Sequence, residues 1–399
     1  MSSEHDVGTA AEHPEDNHRE LFIHRGQVLA FFAFDIGYEV SLKHIGDLLS
    51  SLPVAPLSRK KQTPTYLQYT DAPHVHPLGE IDNFCFEEGA CGLTGQMQAK
   101  IFEFGAVSIS YRWPLQYSGA RAGTEEELIA LKDLPQVSQN LDKEKLETHA
   151  RQQVQKLLEQ ILPAVTRPYL SDLVEDYYVF ILESLDKGHS APPAELVTQQ
   201  YERALAQTLL FDTQALSRVQ QEATLANSIS YYENDLVLVD WNASIIYDAE
   251  YLDSLNVLEL INVELLEARY MDALLDKRLK GYEKVLQRQP GRWVLPLYIP
   301  YQQAINELAE LRIEASLLEE RVNNSLKLIG DLYLARVYTA ASEQFYLHTW
   351  DNSISRKLDI INNLYQLLTD RVNTAQAQTL ELIIIVLILI EIMMNVFHF

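Results

Sequence analysis

The sequence predicts an α+β protein. An N-terminal mixed α/β head precedes an α-helical C-terminal domain, whose long antiparallel coiled-coil hairpin continues into one C-terminal transmembrane helix. Three observations predict it. Short apolar runs rich in Phe, Tyr and Val (QVLAFFAFDIGY, QAKIFEFGAVSISY, VEDYYVFIL) read as strands set among amphipathic helical stretches. Residues 301–347 and 353–399 repeat apolar side chains at alternating steps of three and four, the mark of heptad seams. The final stretch, LELIIIVLILIEIMMNVFHF, is apolar on every side, whereas the alternative, a buried helix in a soluble core, would normally show a polar face.

A chain of 399 residues exceeds one ordinary core. The expected divisions are a disordered lead (1–20), the α+β head (21–187), a helical domain holding the DLVLVDWN strand (194–300), the hairpin stalk (301–379) and the membrane helix (380–399). The net charge of −24 and pI near 4.8 exclude broad contact with nucleic-acid phosphates and disfavour docking of the soluble part on anionic lipid. The lead has neither the apolar core of a signal peptide nor the Arg-rich character of a transit peptide. Cys85 and Cys91 fit a reducing compartment.

Gln27 to Tyr38 is expected as a buried strand, and Val40 to Leu52 as a helix ended by Pro53 and Pro56. Arg59 to Thr70 reads as a loop followed by a strand, TPTYLQYT. Gln98 to Tyr111 reads as one strand in which Gly105 marks a bulge or a close approach. From Thr124 the pattern turns helical, and Lys143 to Leu162 has a clear apolar side in Leu146, Val154, Leu157, Leu158 and Ile161. VEDYYVFIL is expected to return as a strand to the first sheet, with Gly188 to Pro193 as a linker. Two helices follow, at Glu195 to Leu210 and Thr213 to Ala226. Asp235 to Asp240 is a strand, after which Asn242 or Ser244 would cap a helix running to about Leu286.

The stalk seams are Leu308, Leu311, Ala315, Leu318, Val322, Ser325, Ile329 and Leu332 in one helix, and Leu358, Ile361, Tyr365, Leu368, Val372, Ala375, Thr379 and Leu382 in the other. His348 to Asn352 is the expected turn between them. Because the second seam enters the apolar tail, stalk and membrane helix would form one rod of over 40 residues, roughly 65 Å long.

In the tail, twelve of the residues from Leu382 to Phe397 are Leu, Ile, Val or Phe. Each favours insertion by roughly 0.3–0.6 kcal/mol, against about 2.5–3.5 kcal/mol for one central acid. Glu391, Asn395 and His398 share one helical face. An intramembrane carboxylate points to pairing between copies or to a proton path. Tolerance near the far interface is the plain alternative. Glu381 falls at the near interface. Arg356, Lys357 and Arg371 precede the span and only His398 follows, so the soluble part is expected to face the cytoplasm or an equivalent matrix. With so few residues after the span, insertion would be completed after release from the ribosome.

Chemistry-bearing motifs are sparse. Asp235, Asp240, Asp248 and Glu250 form an acidic cluster that lacks the spacing of an ion-binding loop. His74-Val75-His76 lacks further ligands at metal spacing, and Glu175-Asp176 reads as a strand edge. Neither a phosphate loop, nor a dinucleotide fingerprint, nor a nucleophile elbow is present.

The block from Ile329 to Ile392, with Trp350, Arg356, Lys357, Leu380, Glu381, Ile383 to Ile385 and Glu391 in register, resembles the C-terminal signature of the required-for-meiotic-nuclear-division family. That family, a domain of unknown function, includes the Sad-interacting factor of fission yeast. FGAVSISY and NDLVLVDWNASIIYD, with Asp235, Asp240 and Trp241, are similar to further family blocks. The resemblance implies a membrane-anchored protein with no established catalytic activity. A mitochondrial relative supports organellar translation. The acidic pI and the missing transit sequence are nearer to bacterial members.

The expected function is therefore non-enzymatic: a tail-anchored scaffold in a bacterial inner membrane, without cofactor or metal, whose partners are the bilayer and further copies of itself. Its expected oligomer interface is Leu358, Ile361, Tyr365, Leu368, Val372, Glu391 and Asn395. Two alternatives stand beside it, a metal- or nucleotide-dependent enzyme using Asp235, Asp240 and Asp248, and a channel-like oligomer.

Overall fold

A computed structural model describes residues 20–49, 73–82, 84, 86, 94–115, 128–185, 191–287, 305–313 and 332–397. Its centre is an eight-stranded mixed sheet. The strands are β2 (Arg25–Asp35), β4 (His74–Asp82), β5 (Thr94–Ile101), β6 (Ala106–Pro114), β9 (Val174–Ser184), β10 (Ser228–Ile229), β11 (Leu236–Val239) and β12 (Ala243–Tyr247), in the order β10-β11-β12-β9-β2-β6-β5-β4. The pair β12–β9 is parallel and the other neighbours are antiparallel. Two small ladders join β1 (Phe22–Ile23) to β7 (Ile129–Ala130), and β3 (Glu39–Val40) to β8 (Val165–Thr166).

Helices cover both faces of the central strands. Val28, Ala30, Phe32, Phe34, Tyr178, Phe180 and Leu182 point to one side, under α2 (Leu134–Gln139), α3 (Lys143–Ile161) and α4 (Ala194–Leu210). Leu29, Phe31, Tyr177, Val179, Ile181, Val237 and Val239 point to the other, under α6 (Leu252–Gln287) and α8 (Leu332–Gln344). Burial on both faces explains why β2 and β9 are continuously apolar instead of alternating. α1 (Leu42–Leu48) and α5 (Arg218–Leu225) complete the head.

β2, α3 and β9 fall where the sequence places them, and β9 pairs with β2 along its length. Several expectations are corrected. Gln98 to Tyr111 is a hairpin, not one strand: Gly105, at φ +97°, turns the chain, and the Phe102 amide donates to the Ala106 carbonyl. Leu128 to Leu131 carries β7 before any helix begins, because Ile129 and Ala130 pair with Ile23 and Phe22. Asn242 and Ser244 cap nothing. Asn242 lies at the turn into β12, and Ser244 is inside that strand, paired with Val239 and Val179; all five residues of β12 are buried between β11 and β9. The expected boundary at 187–194 cuts through the central sheet, since β10, β11 and β12 extend the sheet begun by β2. Thr213 to Ala226 contains helix only as α5. The TPTYLQYT strand, both cysteines, Pro290-Gly291 and His398 lie outside the described residues.

The C-terminal part is helical. α6 is a 36-residue helix, roughly 54 Å long, that belongs to both halves of the molecule. Its first half lies on the sheet. Its second half packs with α7 (305–313) and α9 (Leu347–Phe397) through Met271, Leu275, Leu308, Leu311, Ile361, Leu368 and Val372. Lys357 meets both Asp272 and Asp276 while Ser353 meets Asp272, so α6 and α9 run in the same direction. His348 to Asn352 is not a turn. The chain breaks at Tyr346, φ 53°, and α9 then runs 51 residues unbroken. From Leu380 to Val396 its side chains are bare of protein contact, with mean hydropathy 2.4 over the most apolar stretch, none of it buried. By length and composition this long apolar helix could cross a membrane.

Candidate functional site at the joint of sheet and stalk

The most unusual chemistry lies under the first half of α6. The segment LELINVELLEARY carries acids among apolar residues, and both surfaces of the helix are occupied, one by the sheet and one by α8. Its acids are consequently buried: Glu259, Glu264 and Glu267 are each 2–3 % exposed. Buried charge is costly unless it is paired or neutralised, and each acid meets a different solution.

Glu259 pairs with the Lys100 ammonium from β5, which also donates to Asn256 Oδ1 at 3.0 Å. Glu175, at the start of β9, pairs with Arg269, while its backbone carbonyl accepts from Asn262 Nδ2 at 3.1 Å. Burial pushes Glu175 up to about 7 even against the pull of Arg269. Among the described residues no cation acts on Glu267. Burial, reinforced by the buried carboxyl of Asp35 on β2, holds it well above the usual range. Asp35 accepts from the Tyr169 hydroxyl and from the Gly37 amide, and Tyr169 stacks on Tyr270 with ring centroids 5.8 Å apart. Glu264 faces α8, where it accepts from the Tyr338 hydroxyl at 2.9 Å. Burial pushes it up to about 8.

Farther along, α6 meets the start of α9. Lys357 Nζ lies 2.7 Å from Asp272 Oδ1 and 2.6 Å from Asp276 Oδ1, and Ser353 Oγ donates to Asp272 at 2.7 Å. At the break before α9, Phe345 is buried against Tyr177, with centroids 4.9 Å apart, and is met edge-on by Trp241 at 6.1 Å. Trp241 also touches Tyr346 at 5.8 Å. The tip of the β11–β12 hairpin therefore clasps the break between α8 and α9.

The residues singled out from sequence fall in separate places. Asp235 accepts from the Tyr231 and Tyr232 amides at 2.7 and 3.1 Å, and Asp248 from the Glu250 amide at 2.8 Å. Both are turn acceptors near one end of the β11–β12 hairpin. Asp240 lies at the other end, roughly 17 Å along the strand from Asp235, and burial raises its carboxyl. These three carboxylates do not converge, and among the described residues no group of three His, Cys, Asp or Glu is placed to hold a metal. Leu358, Ile361, Tyr365, Leu368 and Val372, expected between copies, face α6 and α7 of the same chain, so that seam is already filled. Trp350 packs at the edge of the cluster under α8, Arg356 donates to the Asn352 carbonyl at 3.2 Å, and Glu381, Glu391 and Asn395 are exposed on α9. Sequence reasoning missed the buried acids. The available signal was a helix apolar on both sides yet interrupted by carboxylates.

A family model described as "Uncharacterized protein MJ0711, N-terminal domain" matches residues 25–253. That range begins with β2 and ends as α6 starts, and so covers the whole central sheet. The chain is similar to the uncharacterized protein MJ0711 of Methanocaldococcus jannaschii, at 25 % identity over 172 residues, 43 % of this chain and 52 % of that protein. The chain thus spans about half the length of the curated relative it matches. No solved structure matches it.

Proposed function

The chain belongs to the family of the MJ0711 N-terminal domain, and from that premise we propose that it is a non-enzymatic, membrane-tethered scaffold. The observation that carries the reading is the division of α9. Its first half is fastened to the head through Lys357, Ile361, Leu368 and Val372. Its last turns, from Leu380, are apolar and bare. A bilayer is the solvent that suits such a surface. Only about 15 Å of helix separates Val372 from Leu382, which holds the packed stalk just above the headgroups, whereas the Trp241 clasp lies about 50 Å from the apolar stretch. Arg356 and Arg371 on the near side orient the head toward the cytoplasm.

In this reading α7 and α9 belong to the antiparallel coiled-coil hairpin. Copies associate through the tail, where Glu391 and Asn395 interrupt the apolar surface and find hydrogen-bond partners on a neighbouring α9. The filled stalk seam leaves the tail as the interface. Kinship with the required-for-meiotic-nuclear-division family belongs to the same proposal and rests on Trp350, Arg356, Lys357 and the LELIII block. The enzyme alternative finds no support in the scattered positions of Asp235, Asp240 and Asp248.

Fractionation tests it. The full chain is expected with the membranes and resists alkaline carbonate, while residues 1–379 stay soluble. A full chain that is soluble and monomeric without detergent would overturn the proposal.

A further inference from the structure

Glu264 sits where α6, α8 and the start of α9 meet. One carboxyl oxygen accepts from the Tyr338 hydroxyl at 2.9 Å, and the other, Oε1, is buried without a partner. From α8 it is faced by Tyr338, which also bonds Ser342, and from α9 by Asp351. The apolar cluster under α6 and α8 takes Leu29, Phe31, Tyr177 and Val179 from the sheet, with the Tyr177 hydroxyl taken up by Ser244 and the Asp240 carbonyl. Along α6, Glu259 is bound to Lys100 and Glu267 turns to Asp35. Among the described residues the groups acting on Glu264 are Tyr338 and Asp351, neither of them a cation.

Such a carboxyl can be buried when neutral. Ionised, it faces a like charge with one oxygen unsolvated, and water reaches it only if α8 lifts from α6. We propose that Glu264 is a proton-sensitive pin: protonated, it lets α8 and the start of α9 close on α6, and ionised, it opens that joint and frees the α8–α9 arm from the head. Burial places the transition near pH 8. The apolar core on the opposite face of the sheet contains none of these groups and stays closed. The joint exists whether or not α9 enters a bilayer, so this proposal and the membrane reading can fail separately.

Hydrogen exchange on the full chain in detergent, corrected for the intrinsic pH dependence of exchange, tests it. Between pH 6.5 and 9, protection of residues 332–344 is expected to fall about thirtyfold, most of it below pH 8, because the opened carboxyl ionises while the closed one still holds its proton, and to fall by more than at residues 143–161 on the opposite face of the sheet. Glu264→Gln, which cannot ionise, keeps 332–344 protected at both values. Tyr338→Phe removes the hydrogen bond that favours the ionised form and moves the midpoint upward. The proposal is overturned by pH-independent protection in the unaltered chain or by an equal loss in Glu264→Gln. A midpoint unmoved or lowered in Tyr338→Phe would also sink it, and this variant decides should the glutamine variant not fold.

Discussion

The Lys357 ammonium lies 2.7 Å from Asp272 Oδ1, joining the head-bound helix α6 to α9 at a point where both side chains are 16 % exposed. Asp272 also accepts from Ser353, and Asp276 supplies a second carboxylate to the lysine. The bridge fixes the register between a helix that rests on the sheet and one that leaves the head. Replacement by Met keeps the aliphatic stem and removes the charge, leaving Asp272 with Ser353 alone. Lys357→Met is therefore expected to lower stability by about 2 kcal/mol in urea unfolding of the full chain in detergent. An unchanged midpoint would assign the register to the apolar contacts of Ile361 and Leu368.

Gly105 and Gly37 cross so closely that a Cβ on Gly105 would stand 1.8 Å from the Gly37 carbonyl oxygen, and Gly105 itself has φ +97°. Both the contact and the backbone forbid a side chain. Gly105→Ala should cost more than about 3 kcal/mol or prevent folding. Gly46, in α1 and open to solvent, is the control: Gly46→Ala should stabilise by about 0.5–1 kcal/mol. Thermal melts of the two variants side by side give the comparison.

Glu175 has its folded value raised to about 7 from the usual 4.5, chiefly by burial. A raised acid contributes stability that is complete below pH 4.5 and is lost as pH climbs toward 7. Between pH 5 and 7.5, unfolding free energy should fall by about 1–3 kcal/mol from this residue. Glu175→Gln should reduce the slope there by that amount, the remainder coming from Glu264 and Glu267, and a slope identical to that of the unaltered chain would contradict the assignment.

Trp241 is 41 % exposed yet meets Phe345 edge-on and Tyr346 at a tilt. Trp241→Ala is expected to cost about 1 kcal/mol globally. Its larger effect should be local, as faster hydrogen exchange at 345–350. Uniform loss of protection would show that the ring only fills space.

β2, β9 and α3 were legible because each is long and its apolar pattern has one reading. β12 was not. ASIIY is five residues long, and the Asn and Ser around it resemble a helix start, so only its pairing with Tyr178 to Leu182 identifies it. The β5–β6 hairpin was hidden because Phe102 and Phe104, buried against α6, kept the run apolar through its turn. HTWDN resembles a loop in composition, whereas the helix actually breaks one residue earlier than α9 begins, at Tyr346. The joint acids were invisible for a different reason. Glu264 and Glu267 read as the solvated side of an amphipathic helix until both sides are seen to be covered. The apolar end of α9 was plain throughout, since no other part of the chain has such composition.

The most direct measurement of the membrane claim is the environment of α9 itself. An environment-sensitive fluorophore on a single cysteine at Ile388, in a background with Cys85 and Cys91 replaced, is read in liposomes beside the same probe at Asn373. Blue-shifted emission at 388 that quenchers in the lipid tails extinguish is expected, with water-like emission at 373. Water-like emission at 388, reached by aqueous iodide, would contradict it.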